Sequence, residues 1–293
     1  MKTYGCQSMY APVRRMLLKH PRQAFVDQAH IDAQWQVLFY LGCPDFDKAV
    51  AEYDRFVNLL EQFDFEINFA SDAEQQTSLD SLYMHDPIVV SERGAILCSM
   101  GKAARVPEPE AIVKYLKELG VPVLGRVTGK GRLESGDVLW VDEHTLAVGQ
   151  GFRTNAEGLR QLRELLGSLV NEIIPVPLPY WTGPQDCLHL LSFISIVDKD
   201  LAVVYSRLMP VPFREWLLER GFQLVEVPDA EYDSLACNVL ALAPRQCVML
   251  AGNPETQRCL EQAGAQVWTY NGDNISLKGT GGPTCLTRPI LRA

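Results

Sequence analysis

The chain has little of what would mark a specialised environment. Its 293 residues hold only eight cysteines and no pair is spaced as Cys-x-x-Cys, so neither a zinc site nor a disulfide framework is indicated. No apolar run approaches the roughly 18 residues that span a bilayer. The start, Met1-Lys2-Thr3-Tyr4-Gly5-Cys6, lacks the apolar segment of a signal peptide. Basic excess is missing too: the formal net charge is -9 and the acidic residues are dispersed. That balance argues against a nucleic-acid or anionic-membrane partner. These absences lead to an expectation of a cytoplasmic protein with reduced thiols. What remains is ordinary globular material, 47% hydrophobic and 22% charged.

Within that material one pattern recurs four times: a polar residue, an apolar strand, a short polar turn, a second strand and an amphipathic helix. The first copy opens at Asp86, turns at Glu92-Arg93-Gly94 and ends in a helix over 110–119. The second opens at Gly136-Asp137, turns at Asp142-Glu143-His144 and ends in a helix over 156–166. The third has a strand over 189–197 opening at His189, a turn at Asp198-Lys199-Asp200 and a helix over 213–220. The fourth has a strand over 238–243 opening at Asn238, a turn at Pro244-Arg245-Gln246 and a helix over 254–263. The turn centres Arg93, Glu143, Lys199 and Arg245 are 50, 56 and 46 positions apart. A period near fifty is the signature of a repeat architecture. Gly120, Gly221 and Gly264 follow three of the helices as left-handed caps, each with a further strand beyond.

A fifth unit is split between the chain ends. The strand after Cys285 is expected to meet 13–18, with a helix over 47–63 closing the ring and protecting the sheet edges as in propellers. The expectation is therefore an α/β chain of pseudo-fivefold repeats forming one domain over 1–293, with an ordinary mixed α/β sheet as the competing arrangement.

In a radial repeat, equivalent positions converge on the axis. Asp86, the Glu134/Asp137 pair, His189 and Asn238 should face a common cavity, with Cys285 at the matching place in the fifth unit. Cys285 sits in Gly279-Thr280-Gly281-Gly282-Pro283-Thr284-Cys285, where the glycines are expected to supply backbone angles that other residues avoid. A thiol, an imidazole and carboxylates at one point provide a nucleophile, a base and a seat for a cation.

The blocks Leu133-Glu134-Ser135-Gly136-Asp137-Val138, Phe152-Arg153-Thr154-Asn155-Ala156-Glu157-Gly158, Leu188-His189-Leu190 and Gly281-Gly282-Pro283-Thr284-Cys285 resemble those of the guanidino-group-modifying superfamily. That superfamily includes arginine deiminases, amidinotransferases and dimethylarginine dimethylaminohydrolases, and the resemblance is greatest to the last. It covers nearly the whole chain and implies a five-bladed α/β propeller, the pentein fold. It also implies Cys285 as nucleophile, His189 as general acid/base, Glu134 and Asp86 as guanidinium-binding carboxylates, and Arg153 and Arg105 as grips on a substrate carboxylate. The implied partner is a small guanidino or ureido amino acid, with no cofactor and no metal, and a homo-oligomer is compatible with it. Arginine deiminases carry Asp two positions after the histidine. Here that position is Leu191, which turns the expectation from free arginine toward an N-alkylated guanidine, or citrulline.

Other readings stay open. The same thiolate could pass an amidino group to an amine, or the propeller could be a binding scaffold without catalysis. His189 between Leu188 and Leu190 could be a satisfied core histidine, Cys285 a packing residue and Arg105 a surface charge. Asp137 is read as structural, and Asn155 or Thr154 as a helix cap. Cys187, two residues from His189, is the one other cysteine of interest. The mouth of the cavity is expected from residues 5–15 and 72–85.

Overall fold

A computed structural model describes residues 2–71 and 77–293. The strands of the described chain are β1 (Val13–Lys19), β2 (Glu66–Ala70), β3 (Ile88–Ser91), β4 (Gly94–Leu97), β5 (Val123–Arg126), β6 (Val138–Asp142), β7 (Thr145–Gln150) and β8 (Glu172–Pro177). They continue with β9 (Ile194–Asp198), β10 (Leu201–Val204), β11 (Gln223–Glu226), β12 (Leu240–Ala243), β13 (Gln246–Leu250), β14 (Gln266–Tyr270) and β15 (Thr287–Arg292). They form five three-stranded sheets of one design, in which a central strand pairs antiparallel with one neighbour and parallel with the other. A parallel return needs a crossover, and the helix of each unit supplies it.

Burial follows the same order. β3, β4 and β10 are buried along their whole length, as are all but the last residues of β6, β7 and β9. The parallel third strands are more exposed: β8, β11 and β14 each mix buried with exposed residues, and β5 has no buried residue. Short apolar runs therefore fill the interior, and half-polar strands lie outside them.

The fifth sheet joins the two chain ends. β15 pairs antiparallel with β1, Leu17 facing Arg288 and Leu18 facing Thr287, and β1 pairs parallel with β2. The helix Phe46–Leu60 packs its buried face, including Tyr53, Phe56 and Leu60, into the same core. The sheet expected from residues 13–18 is found there.

Helix ends follow from local chemistry. Gly120, Gly221 and Gly264 have φ of 71°, 84° and 88°, and the residue after each donates back into the last turn, as Val121 does to the Leu116 carbonyl. The helix Ala156–Leu166 has the expected bounds, and Asn155 caps it by accepting from the Gly158 amide. Elsewhere the boundaries move. The stretch expected over 110–119 is two short helices, Glu108–Ala111 and Val113–Glu118, separated at Ile112. His189 does not open a strand: it precedes a 3-10 turn, Leu190–Ser192, and the strand starts at Ile194. Asn238 likewise stands two residues before β12.

Hydrogen bonds near the starts of the first strands link the units in a cycle. The His85 amide donates to the Cys285 carbonyl, and Ser135 N–H to the Asp86 carbonyl. Leu190 N–H donates to Asp137, Val239 N–H to Ser195 Oγ, and Thr284 N–H to Asn238 Oδ1.

Candidate active site

Asp86, Asn238 and Cys285 each stand two residues before the first strand of their unit, and Glu134 and His189 stand four and five before theirs. All five reach one region. Asp86, His189, Asn238 and Cys285 line a cavity of about 590 Å³, with Arg105, Arg153 and Cys187 in its wall. Glu134 is wholly buried behind it.

Glu134 is the most heavily bonded of these groups. Its Oε1 accepts from the amides of Gly101 and Lys102 at 2.8 and 3.2 Å. Its Oε2 lies 3.0 Å from Arg153 Nη1 and 2.7 Å from His189 Nε2. Its own amide donates to Thr154 Oγ1. The block from Arg153 to Gly158 therefore buttresses this carboxylate: Asn155 also accepts from Arg132 N–H, and a Cβ at Gly158 would meet the Arg132 carbonyl at 1.9 Å. Burial alone would raise the Glu134 carboxyl. The hydrogen bond from His189 and the charge of Arg153 outweigh it and hold the group well below the usual carboxylate range.

His189 is 4% exposed. Nε2 is committed to Glu134, while Nδ1 lies 3.7 Å from Cys187 Sγ and 4.0 Å from Asp86 Oδ1. Burial opposes its charge, but Cys187, Asp86 and Glu134 together hold it well above its ordinary value of 6.5. Burial also works against a charged Cys187, yet His189 and Arg153 bring its thiol below the usual range. Gly136 makes this packing possible, since a Cβ there would lie 2.4 Å from His189 Nδ1 and 2.8 Å from Asp86 Oδ1.

Asp86 divides its oxygens. Oδ2 accepts from Arg105 Nη1 at 2.5 Å, while Oδ1 is buried without a hydrogen-bond partner among the described residues. Arg105 is not a surface charge: it is 2% exposed. Its Nε donates to Glu108, Nη1 to Asp86, and Nη2 to Glu108 and the Tyr83 carbonyl. Every guanidinium nitrogen of Arg105 is thus engaged within the protein, and its contact is with the carboxylate that faces the cavity. Among the described residues Arg153 forms side-chain hydrogen bonds through Nη1 alone.

Cys285 is partly accessible, and its Sγ accepts from Asn238 Nδ2 at 3.2 Å. Burial, with Asp86 and Cys187 adding, pushes its thiol up to about 12. The glycine turn before it works differently from the sequence expectation. None of Gly279, Gly281 or Gly282 has a positive φ, whereas Thr280 does, at 60°. The glycines are needed for close packing: a Cβ at Gly279 would meet the Tyr83 hydroxyl at 1.9 Å, one at Gly281 the Tyr83 ring at 2.3 Å, and one at Gly282 the Asn238 amide at 2.6 Å. Asn238 holds the C-terminal end of the turn, accepting from the Thr284 amide and donating to the Cys285 sulfur.

Asp86, Glu134 and His189 bring one donor atom each within 4.8 Å of one another, a spacing also compatible with a metal ion. A divalent cation there would face two guanidinium groups already donating to Glu134 and Asp86, which favours a diffuse organic cation over a compact ion.

The mouth is only partly where the sequence placed it. Leu38, Phe39 and Leu41 form one lip, and Trp181, Thr182, Gln185 and Asp186 another. Of the expected 72–85, Asp80, Tyr83 and His85 line the cavity, and 72–76 lie outside the described residues. Residues 5–15 contribute Cys6, Ser8 and Met9 to a separate small cavity instead. Lys102 ties the first lip down by donating to the Leu38 carbonyl and pairing with Asp80 at 2.6 Å. Sequence reasoning placed His85 only at the end of the expected mouth segment and gave it no role of its own. Its one signal was adjacency to Asp86, at the position that opens the repeat.

Comparison with known proteins agrees with these observations. The family model described as "N,N dimethylarginine dimethylhydrolase, eukaryotic" matches residues 45–292. The N(G),N(G)-dimethylarginine dimethylaminohydrolase of Pseudomonas aeruginosa is 26% identical over 251 residues, which are 85% of this chain and 91% of that one. A solved structure of that enzyme, a mutant complexed with citrulline, superimposes with a TM-score of 0.77 at 22% identity, covering 96% of this chain and 100% of the other. An amidinotransferase of saxitoxin biosynthesis from Microseira wollei superimposes with a TM-score of 0.80 at 13% identity, covering 99% and 97%.

Proposed function

The chain belongs to the N,N-dimethylarginine dimethylhydrolase family, and on that premise we propose that it hydrolyses N-methylated arginine to citrulline and an alkylamine through Cys285. The observation that carries the reading is Asp86 Oδ1, a buried acceptor without a hydrogen-bond partner among the described residues. It lies in the same cavity wall as the Cys285 thiol and the proton-carrying His189. A guanidinium N–H satisfies that acceptor, and its charge is what a neutral thiol of pKa about 12 requires.

The reaction then runs in two halves. The guanidinium cation docks on Asp86, and Cys285 gives its proton to solvent water, to regain one when its sulfur is expelled at the end of the second half. The thiolate attacks the central carbon. As the tetrahedral adduct collapses, the bond to the substituted nitrogen breaks and His189 Nδ1 gives that nitrogen a proton, so dimethylamine leaves. A thiouronium remains on Cys285. His189 takes a proton from water as its oxygen attacks the same carbon, and expulsion of the Cys285 sulfur yields citrulline. Glu134 holds His189 through Nε2 and stabilises its charged form. Arg105 fixes Asp86 rather than gripping substrate. Arg153, with guanidinium nitrogens left over, is the group suited to a substrate carboxylate. Leu191 lies in the cavity wall and offers apolar surface to N-methyl groups.

The same reading assigns the five sheets to the blades of a closed propeller and the chain over 1–293 to one domain. The cycle of hydrogen bonds between units and the β15–β1 pairing support it. Eight unpaired cysteines fit a reducing compartment such as the cytoplasm, and among the described residues no helix is long and apolar enough to cross a membrane.

Purified protein is to be given asymmetric dimethylarginine, arginine and citrulline separately, with and without glycine or lysine as amine acceptor. The proposal expects dimethylamine and citrulline from the first substrate, independent of acceptor. Turnover of arginine in preference, or a requirement for the acceptor, overturns it.

A further inference from the structure

The side-chain amide of Asn238 has two different partners at the Cys285 turn. Its Oδ1 accepts from the Thr284 amide at 3.0 Å. A backbone N–H can only donate, so this contact fixes which end of the side chain carries the hydrogens. Nδ2 therefore points at Cys285 Sγ, 3.2 Å away. Among the described residues no other group donates a hydrogen bond to that sulfur. The donor is also held in place. Asn238 is 7% exposed, its own N–H donates to the Leu235 carbonyl, and Thr284 Oγ1 donates to the Val239 carbonyl. Gly282 leaves room for the amide, since a Cβ there would meet its Cγ and Oδ1 at 2.6 Å.

Holding the turn requires Oδ1 alone, which leaves the role of Nδ2 to be explained. The sulfur is the group that needs a donor. Burial pushes the Cys285 thiol up to about 12, with Asp86 and Cys187 adding, while the Asn238 hydrogen bond and His189 oppose the rise. A hydrogen bond to a charged acceptor is stronger than one to a neutral acceptor. A donor oriented before the charge develops needs no rearrangement when it does.

We propose that Asn238 is a catalytic residue whose Nδ2–H stabilises negative charge on the Cys285 sulfur in both halves of the reaction. The inference rests on the reading of Cys285 as the nucleophile. In the first half the S–H bond breaks, the proton goes to water, and Nδ2–H meets the electron pair left on sulfur. Part of that stabilisation is lost as the C–S bond forms, because charge passes from sulfur into the adduct. The resting sulfur is a neutral thiol, so the net effect still favours attack. In the second half the C–S bond breaks and sulfur takes the electron pair. The same N–H meets that charge as it grows, as an oxyanion hole does for oxygen.

Asn238→Leu keeps the size of the side chain and removes the donor without adding charge. Labelling of Cys285 by neutral chloroacetamide, followed on the peptide that contains it, reads the thiolate in the free protein. At equal, mildly alkaline pH the variant should label at least ~3-fold more slowly than the unaltered protein. The lost hydrogen bond lowers the thiolate fraction, and the greater nucleophilicity of the more basic thiolate restores only part of the rate. With asymmetric dimethylarginine, kcat should fall ~10-fold or more at nearly unchanged KM, because the bond to sulfur strengthens only as charge develops there. A purely structural role predicts the opposite sign in the labelling, since a loosened turn exposes the thiol and speeds its reaction. If Asn238→Leu does not fold, Asn238→Asp, which keeps the acceptor for Thr284 and loses the donor, should show the same slowing. Unchanged or faster labelling overturns the inference, as does slower labelling with kcat undiminished. Failure of the unaltered protein to release dimethylamine overturns the hydrolase reading instead, and the labelling rates still decide whether Asn238 stabilises the thiolate.

Discussion

Glu134 Oε2 lies 2.7 Å from His189 Nε2, and that contact fixes which histidine nitrogen faces the cavity. With Nε2 committed, proton transfer falls to Nδ1, beside Asp86 and Cys187. The Glu134→Gln variant removes the charge and keeps the shape. It should lower kcat by ~10²-fold or more, as loss of a positioned acid/base typically does. NMR titration of His189 should show its pKa falling toward 6.5. The stability consequence has a definite sign. A folded-state value raised above 6.5 contributes stability that is complete below pH 6.5 and is lost as pH rises through the folded value. Tm of the unaltered protein should therefore decline on the alkaline side more steeply than that of Glu134→Gln.

The Cys285 thiol, pushed up to about 12 by burial, Asp86 and Cys187, should be nearly inert in the free protein at neutral pH. A cationic reagent that docks on Asp86 brings the missing charge. Chloroacetamidine should label Cys285 at least ~10-fold faster than neutral chloroacetamide at pH 7.5. The preference should disappear in Asp86→Asn. Equal rates for both reagents would remove the role assigned to the substrate's charge.

Gly136 has no room for a side chain, because a Cβ would stand 2.4 Å from His189 Nδ1 and 2.8 Å from Asp86 Oδ1. Gly136→Ala should cost about 1–3 kcal/mol of stability, the usual result of overpacking. It should also depress kcat by displacing both groups, and differential scanning calorimetry with steady-state kinetics would separate the two effects.

Arg105 binds Asp86, Glu108 and the Tyr83 carbonyl at once. A lysine cannot reproduce that fork. Arg105→Lys should lower Tm and kcat together, because it frees the carboxylate that orients the guanidinium. A rise in KM alone, with Tm unchanged, would return Arg105 to a direct grip on the substrate carboxylate.

Much of the architecture was legible in the sequence because the units repeat. Paired apolar runs fix two strands, a glycine after three of the helices fixes their ends, and the period fixes which residues converge. The splitting of the fifth unit followed from having one strand at each end of the chain. The convergence of Asp86, Glu134, His189 and Cys285 was legible for the same reason. What escaped depends on contacts between segments far apart in sequence. Asn238 looked like a strand opener, and only the fold shows its amide on the Cys285 sulfur. The glycines before Cys285 suggested backbone freedom, but the need arises from Tyr83, about two hundred residues away. The mouth is built by loops without period or motif. The 3-10 turn after His189 was read as strand because Leu190, Leu191 and Phe193 are as apolar as the strand that follows.

The account rests on a covalent bond between Cys285 and the substrate carbon. Rapid acid quench of the protein during turnover of asymmetric dimethylarginine, followed by peptide mass mapping, tests it most directly. A thiouronium adduct on the peptide containing Cys285, absent from Cys285→Ser, is the predicted result. An adduct on Cys187, or undiminished turnover by Cys285→Ser, would contradict it.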